Sequence, residues 1–233
     1  MIYAMSDLHG QYDSYRRMLR QIHFSGRDTL YILGDVVDRG PEPVRLLQDM
    51  MLRSNVYPIM GNHELMALHI IRKLSVEITD ENYDSYLNSD LLSAVVNWQM
   101  NGGEVTMKQL QALPADEREE LLGYMEDFPL YETVDAGERT FVLVHAGLGN
   151  FSVNKKLDEY TADELTFIRP DGSRRLFPDP SVYVVFGHTP TLSISGKAEI
   201  WEQHNNICID CGATFDGGRL ACLCLDTMER FYV

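Results

Sequence analysis

The sequence lacks any apolar run of about 18 residues or more, the length a membrane-spanning helix needs. It also lacks a basic leader. Met1-Ile2-Tyr3-Ala4-Met5 runs directly into Ser6-Asp7-Leu8-His9, so a secretory signal is not expected and the cytoplasm is the expected compartment. Positive charge is short: 20 Lys and Arg face 35 Asp and Glu, a net charge of -15. Such a surface repels a nucleic-acid backbone and excludes a nonspecific nucleic-acid binder. Any phosphate-binding site must then be made locally positive by arginines or metals. Cysteine is scarce and confined to the end of the chain, as Cys208, Cys211, Cys222 and Cys224. Paired spacing of this kind can hold zinc. However, Cys222 and Cys224 alternate with Ala221, Leu223 and Leu225 as in a strand, and read as small buried hydrophobes. No repeat and no Gly/Ser- or Pro-rich linker interrupts the 233 residues, so one domain over 1–233 is expected.

What the chain does contain is a repeated unit of short apolar run, polar loop and amphipathic segment. Strands are expected at 2–5, 29–33, 56–60, 140–144 and 182–186, with helices over 12–22, 41–52 and from 62 to about 71. Tyr15, Met18, Leu19 and Ile22 mark the buried face of the first helix. Strands alternating with helices imply an α/β fold with parallel strands. Residues 75–130 depart from this pattern and read as a mostly helical insertion in the same domain. Residues 150–180 read as irregular. The chain is expected to close with an antiparallel pair, 207–210 and 219–225, joined through Asp216-Gly217-Gly218.

Five of these strands end in a loop bearing Asp, Asn or His. They are Asp7/His9, Asp35/Asp38, Asn62/His63, His145 and His188. Functional groups of open α/β sheets gather at the carboxyl ends of strands. Carboxylates beside imidazoles are the ligands that divalent metals prefer. Gly34-Asp35-Val36-Val37-Asp38-Arg39-Gly40 places two acids and an arginine behind a buried strand, an arrangement that is costly unless a cation neutralises it.

Asp7-x-His9, Gly34-Asp35-x-x-Asp38-Arg39-Gly40, Gly61-Asn62-His63-Glu64, His145 and Gly187-His188-Thr189 together resemble the calcineurin-like metallophosphoesterases, within them the phosphoprotein phosphatase branch. Trp98-x2-Asn101-Gly102-Gly103 and Ile209-Asp210-x-Gly212-Ala213 resemble the small phosphatase of bacteriophage lambda and its bacterial relatives. The resemblance covers nearly the whole chain. It implies a β-sandwich flanked by helices and a two-metal site. Asp7, His9 and Asp35 would hold one metal, and Asp35, Asn62, His145 and His188 the other. Manganese is the first expectation, with iron or zinc also compatible. Water held between two such metals is acidified and can attack phosphorus in line. The resemblance makes His63 the proton donor to the leaving oxygen, Asp38 its orienting carboxylate, and Arg39 a phosphate ligand, with Asn62 at the substrate's edge. Arg169 is the best match for a second phosphate arginine. His23, His69 and His204 carry no expected role.

These features imply hydrolysis of a phosphomonoester, from a phosphorylated protein or peptide or a small phosphate ester. Because Asp38 is intact, a serine/threonine protein phosphatase is the first expectation. In the related symmetrical bis(5'-nucleosyl)-tetraphosphatases this second acid is usually replaced. Hydrolysis of diadenosine tetraphosphate is the alternative.

Overall fold

The computed structural model describes residues 1–76, 89–170 and 172–233. Residues 77–88, within the expected insertion, and Asp171, within the expected irregular stretch, lie outside the described residues. The short apolar runs form two mixed sheets. The first contains β1 (Ile2–Met5), β2 (Thr29–Ile32), β3 (Val56–Pro58), β9 (Ala221–Cys224) and β10 (Arg230–Tyr232), in the order β10-β9-β1-β2-β3. β1, β2 and β3 are parallel, with Met5 opposite Ile32 and Leu30 opposite Val56. The second contains β4 (Tyr131–Ala136), β5 (Arg139–Val144), β6 (Val182–Phe186), β7 (Trp201–Gln203) and β8 (Asn206–Cys208), in the order β4-β5-β6-β8-β7. β5, β6 and β8 are parallel, and β4 and β7 are antiparallel edges.

Side-chain alternation along the strands builds the layers. Tyr3 and Met5 of β1 face a cluster shared with α1 (Tyr12–Gln21), α2 (Pro43–Met51) and α3 (Asn62–Leu74). Ala4, between them, faces the other way and joins Phe141, Leu143, Val185 and Ile207 between the sheets. Val142, Val144, Val184 and Phe186 point outward from the second sheet onto Leu148, Tyr160 and Leu165. The fold is therefore α/β, two sheets packed face to face and flanked by helices. No helix among the described residues is long and apolar enough to cross a membrane.

The insertion contains α4 (Ser89–Met100), α5 (Glu104–Gln111) and α6 (Ala115–Glu126). Gly102 ends α4, yet Gly103 immediately caps α5, so the glycine pair is a corner between helices. Trp98, Leu110, Leu121, Leu122 and Met125 join the core on the outer face of the first sheet. Residues 150–180 also hold a short helix, α7 (Ala162–Thr166), which Thr161 caps. His23 lies in the turn after α1, not in the helix.

The expected closing hairpin does not form. β8 belongs to the second sheet and pairs with β6 and β7, whereas β9 crosses to the first and pairs with β1 and β10. Both strands are fully buried. A run apolar on both faces fits the middle of either sheet, so local pattern cannot choose its partner.

The four thiols are free and fall in three different clusters: Cys222 and Cys224 under the helices, Cys211 between the sheets, and Cys208 on the outer face. Among the described residues, no group of three or more metal-ligating side chains includes a cysteine. A Cys208→Ser/Cys211→Ser double variant should keep its full metal content by elemental analysis. Loss of a tightly held zinc would contradict the assignment of these thiols as buried hydrophobes.

Candidate metal centre

The carboxyl ends of β1, β2, β3, β5 and β6 converge where the two sheets meet. Asp7, His9, Asp35, Asp38, Arg39 and His188 all have positive φ, between 41° and 71°. This left-handed region costs a non-glycine residue about 1–2 kcal/mol. Backbone hydrogen bonds between the first two loops hold it: His9 N donates to Asp35 O at 2.8 Å and Gly10 N to Val36 O at 2.7 Å. The second sheet approaches as closely. A Cβ on Gly187 would lie 2.1 Å from Asp7 Oδ2, so only glycine lets His188 N–H donate to that carboxylate, at 3.0 Å.

Two buried acids organise the β2 and β3 loops. Glu64 accepts four backbone N–H groups, those of Asp35, Val36, Val37 and Gly61, at 2.8–3.1 Å. Burial and the Asp35 charge push its carboxyl up to about 7, against those four donors. Asp35 accepts His63 N–H at 3.1 Å from the first turn of α3, where unsatisfied amides favour an anion. Burial opposes its charge, but His145, His63 and His9 hold it well below the usual carboxylate range.

Around Asp35 the donor atoms need a cation. His9 Nδ1–H donates to Val37 O at 2.8 Å, which leaves Nε2 bare; that buried atom has no hydrogen-bond partner and lies 3.6 Å from Asp35 Oδ2. His145 Nδ1–H donates to Leu33 O at 2.7 Å. Its Nε2 lone pair then faces Asn62 Oδ1 at 2.9 Å and Asp35 Oδ1 at 3.3 Å. His188 Nδ1 meets the same Asn62 oxygen at 3.0 Å. Several acceptors crowd one point, and a metal between them satisfies all. Burial holds His9 and His188 down to about 3 and lowers His145, which keeps the imidazoles in the neutral form that ligates metal. The ligand atoms of His9, Asp35 and His63, and those of Asp35, His145 and His188, lie within 4.8 Å of one another, two groups sharing Asp35. Asp7 borders them, taking the His188 amide and the Ser6 hydroxyl. Burial, with the charges of Asp210 and Asp35, pushes the Asp7 carboxyl well up, the mark of an acid cluster in want of a cation.

Beside this cluster His63 is held at both nitrogens. Nδ1–H donates to Asp38 Oδ2 at 2.7 Å, and Nε2 accepts from Arg39 Nη2 at 3.1 Å. The insertion fixes Asp38. Trp98 Nε1–H donates to its Oδ2 at 2.8 Å, and the Thr106 hydroxyl donates to Oδ1 at 2.6 Å while accepting Asp38 N–H at 2.8 Å. Arg39 N–H donates to Gly102 O at 3.0 Å. Burial works against a charge on His63, but Asp35 and Asp38 outweigh it and raise its pKa. Arg169 stands at the rim, one guanidinium nitrogen 3.3 Å from Thr189 Oγ1. The structure thus gathers every sequence-predicted site residue. The sequence reading missed Glu64, Thr106 and the buried Asp210, whose carboxyl is pushed up to about 7 chiefly by burial. Glu64 and Asp210 stood inside recognised motifs; Thr106 left no local signal.

A family model described as calcineurin-like phosphoesterase matches residues 1–213. The chain belongs to that family. Members of that family work with a dinuclear metal centre, and the two groups of ligand atoms that share Asp35 could hold metal. The chain is 30% identical over 165 residues to the symmetrical bis(5'-nucleosyl)-tetraphosphatase of Acidovorax ebreus (strain TPSY), covering 70% of this chain and 47% of that one. It is 33% identical over 98 residues to the protein of the same name from Proteus mirabilis (strain HI4320), covering 41% and 36%. The chain spans about half or less of the length of these relatives. Its fold is similar to that of a provisionally assigned diadenosine tetraphosphatase, with a TM-score of 0.67, 21% identity and coverage of 100% and 92%. It is also similar to that of a protein serine/threonine phosphatase from Saccharomyces cerevisiae, with a TM-score of 0.56, 13% identity and coverage of 95% and 72%. At those identities the likeness is one of fold.

Replacing Glu64 by Gln removes an acceptor from a buried group with four donors. Glu64→Gln should lower the unfolding free energy by about 3–5 kcal/mol in urea titration and lower the bound metal. A variant with wild-type stability would show that the carboxylate does not hold these loops.

Proposed function

We propose that this metallophosphoesterase hydrolyses dinucleoside polyphosphates, with symmetrical cleavage of diadenosine tetraphosphate to two ADP as the leading reaction. The observation that carries the substrate is the 30% identity over 165 residues to a symmetrical tetraphosphatase. The serine/threonine protein phosphatase expected from the intact Asp38 has a likeness of fold on its side, at 13% identity, whereas the likeness in sequence is to tetraphosphatases. Asp38 bonds His63 in either reading, so its presence does not by itself choose between the two substrates.

In this reading Asp7, His9 and Asp35 hold one metal, and Asp35, Asn62, His145 and His188 the other. Imidazole nitrogens with carboxylate and amide oxygens suit manganese, iron or zinc. Two such cations supply positive charge against the phosphate oxygens and acidify water at the site. Arg39 and Arg169 clamp the phosphate through their planar forks, the local positive charge that an acidic chain needs. Asp38 fixes the His63 ring through Nδ1 and leaves Nε2 towards the cleft. Protonation turns Nε2 from an acceptor into a donor, so it releases the Arg39 guanidinium to the phosphate and offers its own proton to the leaving oxygen.

Metal-stripped protein reloaded with manganese, iron or zinc tests the substrate. Diadenosine tetraphosphate should exceed phosphoserine and phosphothreonine peptides by more than about tenfold in kcat/KM. A preference of that size for the peptides would overturn the reading. His63→Asn should lower kcat by about 10²–10⁴-fold with metal content nearly intact, the range of a lost general acid. Asp35→Asn should lose activity and metal together. Undiminished hydrolysis of an alkyl phosphate by His63→Asn would remove His63 as the acid.

A further inference from the structure

Phe215 is a large apolar side chain left 49% exposed beside Arg39. Its ring lies against the Arg39 guanidinium, whose central carbon is 5.7 Å from the ring centroid. Arg39 in turn reaches His63 Nε2 at 3.1 Å. Imidazole, guanidinium and phenyl ring thus form a continuous series leading out of the metal centre. The loop beneath the ring is closed on itself. Phe215 N donates to Gly212 O and Gly218 N to Phe215 O, both at 2.9 Å, and Arg219 N donates to Cys211 O at 3.0 Å. Gly212 N donates to the buried Asp210 carboxylate at 2.8 Å, which ties the loop to the acidic wall of the site. Neither cluster of the metal centre contains Phe215, and the roles argued above do not use it.

We infer that Phe215 forms a leaving-group subsite that takes a planar aromatic ring, a nucleobase when the substrate is a nucleotide. The inference rests on the reading in which Arg39 takes the phosphate and His63 protonates the leaving oxygen. If the acid stands at His63, the departing group lies on the His63–Arg39 side, and among the described residues Phe215 is an exposed aromatic ring in contact with Arg39. The ring is amphipathic in use: Arg39 lies against it, and about half its surface remains for a ligand to cover. A side chain with two torsions on a closed loop loses little freedom on binding, which favours affinity over a mobile contact.

The test compares ligands with and without the base on manganese-loaded protein. ADP and inorganic diphosphate are titrated calorimetrically into wild type, Phe215→Ala, Phe215→Leu and Phe215→Trp, each checked for an unchanged melting temperature. ADP should bind wild type more tightly than diphosphate. Phe215→Ala should weaken ADP about tenfold and diphosphate less than about twofold, as for loss of one base–aromatic stack. Phe215→Leu, apolar but not planar, should resemble Phe215→Ala, and Phe215→Trp should keep or improve ADP binding. Equal weakening of both ligands would mean that Phe215 acts only through Arg39, and would overturn the subsite. So would a wild type with no preference for ADP. A Phe215-dependent preference for ADP in a protein that does not turn over diadenosine tetraphosphate would keep the subsite and defeat the substrate reading.

Discussion

The Glu64 carboxylate is the interaction on which the rest of the site depends. It sits in the first turn of α3, fully buried, and takes amides from both the β2 loop and the helix start. Those amides would otherwise be orphaned donors in the interior. With them satisfied, the β2 loop can adopt the left-handed turns that aim Asp35 and Asp38 in different directions. Asp35 then docks on the α3 terminus, and Asn62 and His63 point into the cleft from the same turn. One buried acid thus sets the place of four residues with distinct chemistry.

This arrangement concentrates negative charge. Asp7, Asp35, Glu64 and Asp210 are all buried within a short span, and most are pushed away from the anion by burial and by each other. Asp35 differs: burial works against its charge as well, but the neighbouring histidines and the His63 amide lower its carboxyl. Bare nitrogen and oxygen lone pairs share the same space. Such a site is poorly satisfied by protein groups alone, and a pair of divalent cations balances both the charge and the lone pairs.

The insertion has a structural part in the chemistry that its position in the chain does not suggest. Trp98 and Thr106 bind Asp38 from the far side, and the Gly102 carbonyl holds the Arg39 backbone. Asp38 therefore has three side-chain partners, and its carboxylate cannot rotate away from His63. The helical segment acts as the back wall of the Asp38–His63 pair, while the β2 loop supplies its front.

The sequence by itself determined which polar residues stand at the strand ends that meet in the cleft. Each motif lies within one loop at a strand's end, so Asp7/His9, Asp35/Asp38/Arg39 and Asn62/His63 could be read from local spacing. The parallel run of β1, β2 and β3 followed from strands alternating with helices. Glu64 stood in plain view but without a role, because its four partners are backbone amides that no side-chain pattern records. Only the tertiary structure decided that β8 and β9 part into different sheets, since a strand buried on both faces carries no label for its neighbour. It also decided that Thr106 reaches Asp38 and Phe215 reaches Arg39. Those pairs are 68 and 176 residues apart in the chain. Contacts of that range depend on how the sheets and insertion pack, which local periodicity does not encode.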